Sequence, residues 1–289
     1  MGRHRRSSRS PPPRRHRRCP PVRPATRLRG RRTPTQLDRD GRALPTTLWY
    51  PATGEAGGSA KRSATAAQGR FPVVMFSHGL GGRPDDYATL LTRWAAAGFV
   101  VAAPTFPHLP GADNNVLDVL NQPADVSYAL DRVLALDGRA GDALRGRLDG
   151  ERVAAAGHSA GAVTTIGLFT ASRDKRLDAG VVFAGTALGV GTAFAGEAAP
   201  QLFVHGELDE VIEYAAGKAA YDKVPWPKAM LSLPRATTGA RCSATVRHCG
   251  SSRTRPSSSS AGRSTATRGQ KRIPTDATRG DIATFDDHL

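Results

Sequence analysis

The amino-acid sequence predicts an α/β domain with a mostly parallel central sheet and helices on both faces. At 289 residues the chain is long enough to form one such domain with a large buried core. Between residues 44 and 234, short apolar segments alternate with segments of helical periodicity, which is typical of parallel strands joined by helices. One of these segments also leads through a glycine-containing turn directly into a helix, as expected in a sheet of this kind.

The strands and helices of the domain can be placed from their apolar patterns. Seven segments are predicted to be strands, at residues 46–50, 71–76, 99–103, 152–156, 181–183, 201–204 and 229–233. Four segments are predicted to be helices, at residues 85–97, 125–136, 162–170 and 211–222. Pro51 is expected to end the first strand. The pattern stops after Leu233, although an α/β domain of this kind needs a further turn and a terminal helix.

Two segments between these elements are predicted to be loops. Residues 54–69 are rich in Gly, Ala and Ser and are expected on the surface. Residues 105–122 are rich in Pro, Gly and Asn. Because they follow the third strand, we expect them to form one wall of any cleft at that edge of the sheet.

The positive charge of the chain is confined to two flanking segments. The formal net charge is +16, but residues 1–32 hold 13 Arg and residues 235–272 hold 9 Arg or Lys, with no acidic residue in either. The rest of the chain has 19 basic and 25 acidic residues. Nucleic-acid binding would therefore fall to the flanks and depend steeply on salt. It is disfavoured because the flanks lack the interleaved aromatic residues on which bases stack.

Composition divides the chain into four parts: an Arg/Pro-rich segment at 1–43 expected to be disordered, an α/β domain at 44–234, a basic low-complexity segment at 235–272 and a tail at 273–289. The three cysteines lie in the flanks and match no zinc-ligand spacing: Cys19, Cys242 and Cys249. No metal or organic cofactor is expected. No apolar run has the length of a signal peptide or a membrane helix.

Ser159 is the candidate nucleophile. It lies in the sequence Gly-His-Ser-Ala-Gly at 157–161, between a predicted strand and a predicted helix. A Gly-x-Ser-x-Gly match alone is weak in a chain with 31 glycines, but this position is where a nucleophile elbow projects a serine hydroxyl above a sheet. The alternative is an ordinary turn whose serine caps the helix.

A glycine-rich turn at residues 78–82 is the candidate oxyanion hole. It follows the strand at 71–76, and its backbone N–H groups can face the serine hydroxyl. The expected donors are the N–H groups of Leu80 and of Ala160, the residue after the nucleophile. A plain tight turn is the alternative, and a phosphate-binding loop is disfavoured because no Gly-x-Gly-x-x-Gly or Gly-Lys-Ser/Thr pattern is present.

Asp209 is the candidate acid that would orient a catalytic histidine. It follows the predicted strand at 201–204, with Glu207 and Glu210 as alternatives and a solvated acidic turn as the simplest interpretation. His158 and His205 adjoin tight turns, which favours packing roles. His108 lies in a loop and carries no functional indication.

The motifs and their order resemble the α/β-hydrolase esterases related to bacterial platelet-activating-factor acetylhydrolases, dienelactone hydrolases and polyester-degrading cutinases. The matching segments cover about two-thirds of the chain: LWYPA at 48–52, FPVVMFSHGLGG at 71–82, AAAGFVVAAPT at 95–105, NQPADVSYALDRV at 121–133, GHSAG at 157–161 and LFVHGELD at 202–209. The resemblance implies an α/β-hydrolase fold, Ser159 as nucleophile, Asp209 as acid, and Leu80 and Ala160 as oxyanion donors. It does not fix the substrate, which is expected to be a small or polymeric ester.

The sequence departs from this family where the triad histidine belongs. The family carries a histidine in a turn after the last strand, and Thr238 stands there instead. A threonine hydroxyl cannot accept a proton near neutral pH as imidazole does. His248 and His288 are the remaining candidates, one in the low-complexity segment and one at the penultimate position.

We hypothesise that a reading-frame change in the gene produced this departure. Arg-Ala-Thr-Thr-Gly at 235–239 can be encoded by GC-rich codons that give Gly-Asp-His-Gly when read two bases later. The basic charge and the cysteines of the segment at 235–272 agree with such a change. Independent clones that keep an intact frame through Thr238 would contradict the hypothesis.

Two functions therefore stand ahead of nucleic-acid binding. The first is a serine carboxylic-ester hydrolase that forms an acyl-enzyme on Ser159. The second is a catalytically impaired hydrolase-fold protein that lacks its general base. A metal-dependent hydrolase is disfavoured because no set of His, Asp and Glu shows ligand spacing.

Overall fold

The computed structural model describes residues 28–31, 35–54, 60–107, 115–238 and 284–288. Its described residues form these strands: β1 (Leu28–Arg31), β2 (Asp38–Arg39), β3 (Arg42–Ala43), β4 (Thr46–Ala52), β5 (Lys61–Arg62), β6 (Phe71–Ser77), β7 (Val100–Pro104), β8 (Leu148–His158), β9 (Leu177–Phe183), β10 (Gln201–Gly206), β11 (Lys228–Leu233) and β12 (Thr284–His288). All seven predicted strands are confirmed, most of them with slightly longer bounds.

Ten of these strands form one sheet, in the order β12-β11-β10-β9-β8-β6-β7-β4-β1-β5. The six strands from β11 to β7 in this order run parallel, and β4 and β12 pair antiparallel at either side of them. The carboxyl ends of the six parallel strands therefore meet at one edge of the sheet. The predicted mostly parallel sheet is confirmed.

In the described residues, four α-helices connect the parallel strands: α1 (Ala88–Ala97), α2 (Gln122–Leu134), α3 (Ala160–Gly167) and α4 (Tyr214–Asp222). Single 3-10 turns at Pro84–Tyr87 and Val116–Leu120 lead into α1 and α2. Helix α1 ends at Gly98, whose φ of 105° is a left-handed conformation that suits glycine. The four predicted helices are thus present within a few residues of their predicted bounds.

The core of the described residues consists of three clusters, two of which lie on opposite faces of β6. Along β6, Val73 and Met75 belong to the cluster that packs on α2, whereas Val74 and Phe76 belong to the cluster that packs on α1. Successive side chains of a strand point to opposite faces, so both faces are covered by helices. A strand apolar at every position is the expected result, and β6 is buried almost throughout.

Pro51 does not end β4, so that prediction is wrong. The strand continues to Ala52, and its last residues pair with β1 instead of β7. Proline lacks an N–H group but keeps its carbonyl, and the Pro51 carbonyl accepts a hydrogen bond from the N–H of Ala67 at 2.8 Å. A proline fits a strand where only an acceptor is needed.

The structured domain extends beyond the predicted limits of 44 and 234 on both sides. The hairpin of β2 and β3 is anchored by Arg42, whose guanidinium binds the buried carboxylates of Asp118 and Asp125 at 2.8 and 2.6 Å. These bonds raise the pKa of Arg42 above its ordinary value. Near the other end, β12 adds an antiparallel strand to β11. No helix in the described part of the chain is both long and apolar enough to cross a bilayer.

Candidate active site

Ser159 lies in a sharp turn between β8 and α3, at the carboxyl edge of the sheet. Its φ of 54° and ψ of −121° are a strained combination for a residue with a side chain. The turn is held because the Ser159 N–H donates to the Phe183 carbonyl at 3.0 Å, and its carbonyl accepts from Ala162 at 2.9 Å. This strand–turn–helix geometry is that of a nucleophile elbow.

The two glycines of the motif are required by close backbone approach. A Cβ atom on Gly157 would lie 2.0 Å from the Gly161 carbonyl oxygen, and one on Gly161 would lie 2.1 Å from the Ser77 carbonyl oxygen. These contacts join β8, α3 and the end of β6 more tightly than any side chain would allow. The two glycines of the Gly-x-Ser-x-Gly motif are therefore needed for the close backbone packing around the serine.

The glycine-rich turn after β6 lies beside the serine, as predicted. The Gly82 N–H donates to the Gly79 carbonyl at 3.0 Å and closes the turn, and Gly81 has a φ of 71°. A glycine at the third position suits a type II turn, which needs a positive φ there. A Cβ atom on Gly79 would lie 3.3 Å from the Ser159 Cβ atom. The turn and the serine are therefore in direct contact.

His78 holds the peptide unit between Gly79 and Leu80. Its ring is fully buried, its Nδ1 atom lies 2.9 Å from the Gly79 carbonyl oxygen, and its Nε2 atom accepts from the Phe106 N–H at 3.2 Å. Burial lowers the pKa of His78, so the ring is neutral and Nδ1 carries its hydrogen. Since a peptide unit is planar and trans, fixing this carbonyl also fixes the opposite direction of the Leu80 N–H.

Ala160 is the first residue of α3, so its N–H belongs to the first turn and has no partner within the helix. The helix dipole places positive potential at the same point. The N–H groups of Leu80 and Ala160 thus lie on the two segments that flank the Ser159 side chain, which is the arrangement expected of oxyanion donors.

Asp209 is the buried carboxylate of the acidic turn after β10, whereas Glu207 and Glu210 are exposed. Its Oδ1 atom accepts from the N–H groups of Val211 and Ile212, both at 3.0 Å. Burial alone would raise the pKa of Asp209, but its hydrogen bonds outweigh burial and hold the pKa below its ordinary value. Of the three predicted acids, this one is an ionised, oriented acceptor.

Thr238 occupies the position opposite Asp209. Its hydroxyl donates a hydrogen bond to Oδ2 of Asp209, and its side chain is buried. The loop that carries it passes close over the end of β10, since a Cβ atom on Gly206 would lie 2.1 Å from the Ala236 carbonyl oxygen. A threonine thus takes the contact that a histidine would make with the acid of a triad.

The other histidines do not fill this position in the described residues. His205 is buried, with Nε2 2.8 Å from the Ile212 carbonyl oxygen and 3.6 Å from Asp209. His288 pairs with Lys228 at the amino end of β11, about 16 Å of strand away from the edge that holds the serine. His108 and His248 lie outside the described residues.

His158 and Tyr87 form a polar link that the sequence did not indicate. The Nδ1 atom of His158 lies 2.8 Å from the Tyr87 hydroxyl, which accepts from the Gly79 N–H at 3.1 Å. The Nε2 atom of His158 lies 3.2 Å from the Thr238 carbonyl oxygen. Burial lowers the pKa of His158, more than Thr238 and Asp209 raise it. Tyr87 belongs to no recognisable sequence motif, so its contact with His158 can be seen only in the folded structure.

The edge around Ser159 is apolar and exposed. Seven of the eight exposed large hydrophobic side chains in the described residues lie at this edge: Leu80, Val116, Leu117, Leu120, Leu188, Leu208 and Val211. Leu120 and the loop after β9 are in contact, since a Cβ atom on Gly189 would lie 3.0 Å from Leu120 Cδ2. We call these seven side chains the apolar rim. Residues 108–114 of the predicted cleft wall lie outside the described residues.

No group of three or more His, Cys, Asp or Glu side chains in the described ranges could hold a metal ion. The parallel sheet, the strained serine between β8 and α3, and the glycine turn beside it together define an α/β-hydrolase fold.

Comparisons with known proteins agree with this class. A family model described as Chlorophyllase matches residues 63–205. Among solved structures, a ferulic acid esterase from Streptomyces cinnamoneus aligns with a TM-score of 0.57 and 21% sequence identity, over 75% of this chain and 77% of that chain. A search of curated proteins gave no match. The chain has an α/β-hydrolase fold, and the family-model match supports an esterase activity. The narrower resemblances to acetylhydrolases, dienelactone hydrolases and cutinases stay predictions.

Proposed function

We propose that the chain hydrolyses carboxylic esters through an acyl-enzyme on Ser159. The observation that carries this proposal is the strained serine in contact with a turn in which the buried His78 ring holds the Gly79 carbonyl and the Tyr87 hydroxyl holds the Gly79 N–H. Strain at a single residue persists only where the surrounding structure fixes it, and it clusters at active sites.

In the proposed reaction, the Ser159 oxygen attacks the ester carbonyl carbon and the carbonyl oxygen becomes an oxyanion. The N–H groups of Leu80 and Ala160 bind that oxyanion. The ester C–O bond then breaks, and the alcohol leaves with the proton that Ser159 has lost, which gives the acyl-enzyme. Water attacks the acyl carbon in turn, the bond to the Ser159 oxygen breaks, the acid is released and a proton returns to Ser159. Asp209 is the acid that would stabilise a positively charged base beside the serine.

Thr238 favours a second candidate, a hydrolase-fold protein with impaired catalysis. Its hydroxyl occupies the hydrogen-bonding position at Asp209, and it cannot take the serine proton near neutral pH. Losing the base of a triad costs several orders of magnitude in rate, although oxyanion binding leaves residual activity. Both candidate functions use the same site. They differ only in whether that site, with threonine at position 238, retains efficient catalysis.

Thr238→His separates them. With a short-chain nitrophenyl ester, we expect Thr238→His to raise kcat/KM by about 10²-fold or more over the unaltered chain, because imidazole supplies the general base. Thr238→Gln is the matched control, because it has similar bulk and can donate to Asp209 but cannot act as a base. A fluorophosphonate probe followed by mass spectrometry should label Ser159 fastest in Thr238→His.

Ser159→Ala in the Thr238→His background should remove both turnover and labelling. Turnover that survives Ser159→Ala would contradict the nucleophile assignment. Equal rates for Thr238→His and Thr238→Gln, with both proteins folded, would contradict the role of position 238 as the site of the base.

A further inference from the structure

We propose that the Tyr87 hydroxyl is a positioning group for the oxyanion turn and that His158 fixes the direction of its hydrogen bond. This inference rests on the proposed function, because the direction of the Leu80 N–H affects catalysis only if an oxyanion forms on an ester bound at Ser159. It assigns a role to two polar groups that the proposed chemistry leaves unused.

The hydrogen-bond directions follow from one carbonyl group. The Thr238 carbonyl can only accept, so the Nε2 atom of His158, 3.2 Å away, carries the hydrogen. A neutral imidazole then leaves Nδ1 as an acceptor, and the Tyr87 hydroxyl, 2.8 Å away, donates to it. The hydroxyl oxygen keeps its acceptor site for the Gly79 N–H at 3.1 Å. The donors and acceptors are therefore consistent: the Gly79 N–H donates to Tyr87, Tyr87 donates to His158, and His158 donates to the Thr238 carbonyl.

The link is needed because Gly79 is a glycine. A Cβ atom there would lie 3.2 Å from the Tyr87 hydroxyl and 3.3 Å from both His158 Nδ1 and Ser159 Cβ, so a side chain would fit only if these neighbours moved by a few tenths of an ångström. Glycine has the most backbone freedom of any residue, and its own sterics cannot hold the turn. Partners outside the residue must therefore hold its N–H and its carbonyl.

The two peptide units around Gly79 are held from two sides. The carbonyl accepts from His78 and from the Gly82 N–H, which fixes the unit that carries the Leu80 N–H. The Gly79 N–H of the preceding unit is held by Tyr87. Without the hydroxyl, the Gly79 N–H loses this partner, and the unit before the oxyanion donor can rotate.

Tyr87→Phe removes the hydroxyl and leaves the ring packing. The ring lies 4.8 Å from that of Phe76 and 5.6 Å from that of His158, between centroids, and phenylalanine can keep both contacts. Tyr50→Phe is the matched control. Its hydroxyl also donates a hydrogen bond, to the carbonyl of the half-buried Ala64 at 2.8 Å, but it lies on β4, away from the serine.

The experiment uses the full chain carrying Thr238→His. We expect Tyr87→Phe to lower kcat for a nitrophenyl ester by about tenfold with KM changed by less than about twofold, because the turn is misaligned for the transition state but not for the substrate. Tyr50→Phe should leave both constants near those of the parent. An unchanged kcat in Tyr87→Phe, or an equal loss in Tyr50→Phe, would overturn the proposal.

A second measurement does not depend on activity. Imidazole ¹⁵N chemical shifts of the unaltered chain should show His158 as the neutral form with hydrogen on Nε2, and Tyr87→Phe should shift both the Nδ1 resonance and the Gly79 amide. A hydrogen on Nδ1, or a Gly79 amide insensitive to Tyr87→Phe, would refute the link. If Thr238→His shows no turnover, the proposed function fails, while these shifts still decide whether the link exists.

Discussion

The two sides of the candidate site differ in how completely they are built. On one side, the elbow and the glycine turn hold a strained serine, and both histidines nearby, His78 and His158, have hydrogen-bond partners on each ring nitrogen. On the other side, Asp209 is buried and oriented but its partner is Thr238. The proposed oxyanion side is thus supported by buried or partly buried histidines, whereas on the proposed acid–base side a threonine stands where a triad would have an imidazole.

We expect the largest effect from replacing a glycine of the nucleophile elbow, on the side of the site that holds Ser159 (the elbow side). Gly161→Ala should lower the free energy of unfolding by about 3 kcal/mol or more, because the new methyl group would lie 2.1 Å from a backbone oxygen that cannot move freely. Urea denaturation measures the change. Gly138→Ala is the control, since nothing lies within 4 Å of its Cβ position, and it should change stability by less than about 1 kcal/mol.

A glycine-to-alanine substitution on the side that holds Asp209 (the acid side) tests whether that side is equally rigid. Gly206→Ala also meets a backbone oxygen, that of Ala236 at 2.1 Å, but this oxygen belongs to a loop after β11 and not to a strand packed under a helix. We expect the loop to shift and the loss to be smaller than for Gly161→Ala. A larger loss for Gly206→Ala would contradict the view that the elbow side is the more rigid one.

The free energy of unfolding should depend on pH in different ranges for the groups on the two sides. The pKa values of His78 and His158 are lowered in the fold, mainly by burial, so the unfolded chain takes up protons near pH 6.5 that the folded chain does not. Stability should therefore fall as pH drops from about 7.5 towards about 5, by up to about 1.4 kcal/mol per pH unit for each histidine. The lowered pKa of Asp209 acts in the same direction but at lower pH. Its contribution to stability is present above the unfolded value near 3.8 and is lost below it.

Urea midpoints measured across this range test the assignment. His78→Gln and His158→Gln should each flatten the slope between about pH 7.5 and pH 5, since each removes one titrating group. A flat profile for the unaltered chain in that range would contradict the neutral, buried state of both rings.

The smallest effect concerns the apolar rim, which both sides share. In the Thr238→His background, Leu188→Ser should raise KM for an octanoyl nitrophenyl ester by about two- to fivefold relative to the acetyl ester, because a longer acyl chain loses apolar contact. Phe99→Ser is the matched control, since Phe99 is also exposed but precedes β7 at the opposite end of the sheet. Equal changes for both chain lengths would show that Leu188 does not contact the acyl group.

Much of the fold could be predicted from the sequence because parallel strands buried on both faces leave continuous apolar runs. Segments such as Phe71–Ser77 and Gln201–Gly206 were found within two residues of their bounds. Pro51 misled the prediction because whether a strand needs an N–H at one position depends on its neighbour in the sheet. The antiparallel β12 was not predicted, since its partner β11 lies some 50 residues earlier in the chain.

By itself, the sequence determined the order of strands and helices, the serine between two glycines, and the absence of a histidine at 238, because these depend on residue identity and local pattern. Only the tertiary structure decided that Asp209, and not its exposed neighbours, meets Thr238, that His288 is at the far end of the sheet, and that Tyr87 reaches Gly79 and His158. These contacts join residues that are distant in sequence, and their geometry is fixed by how the strands pack and where each one ends.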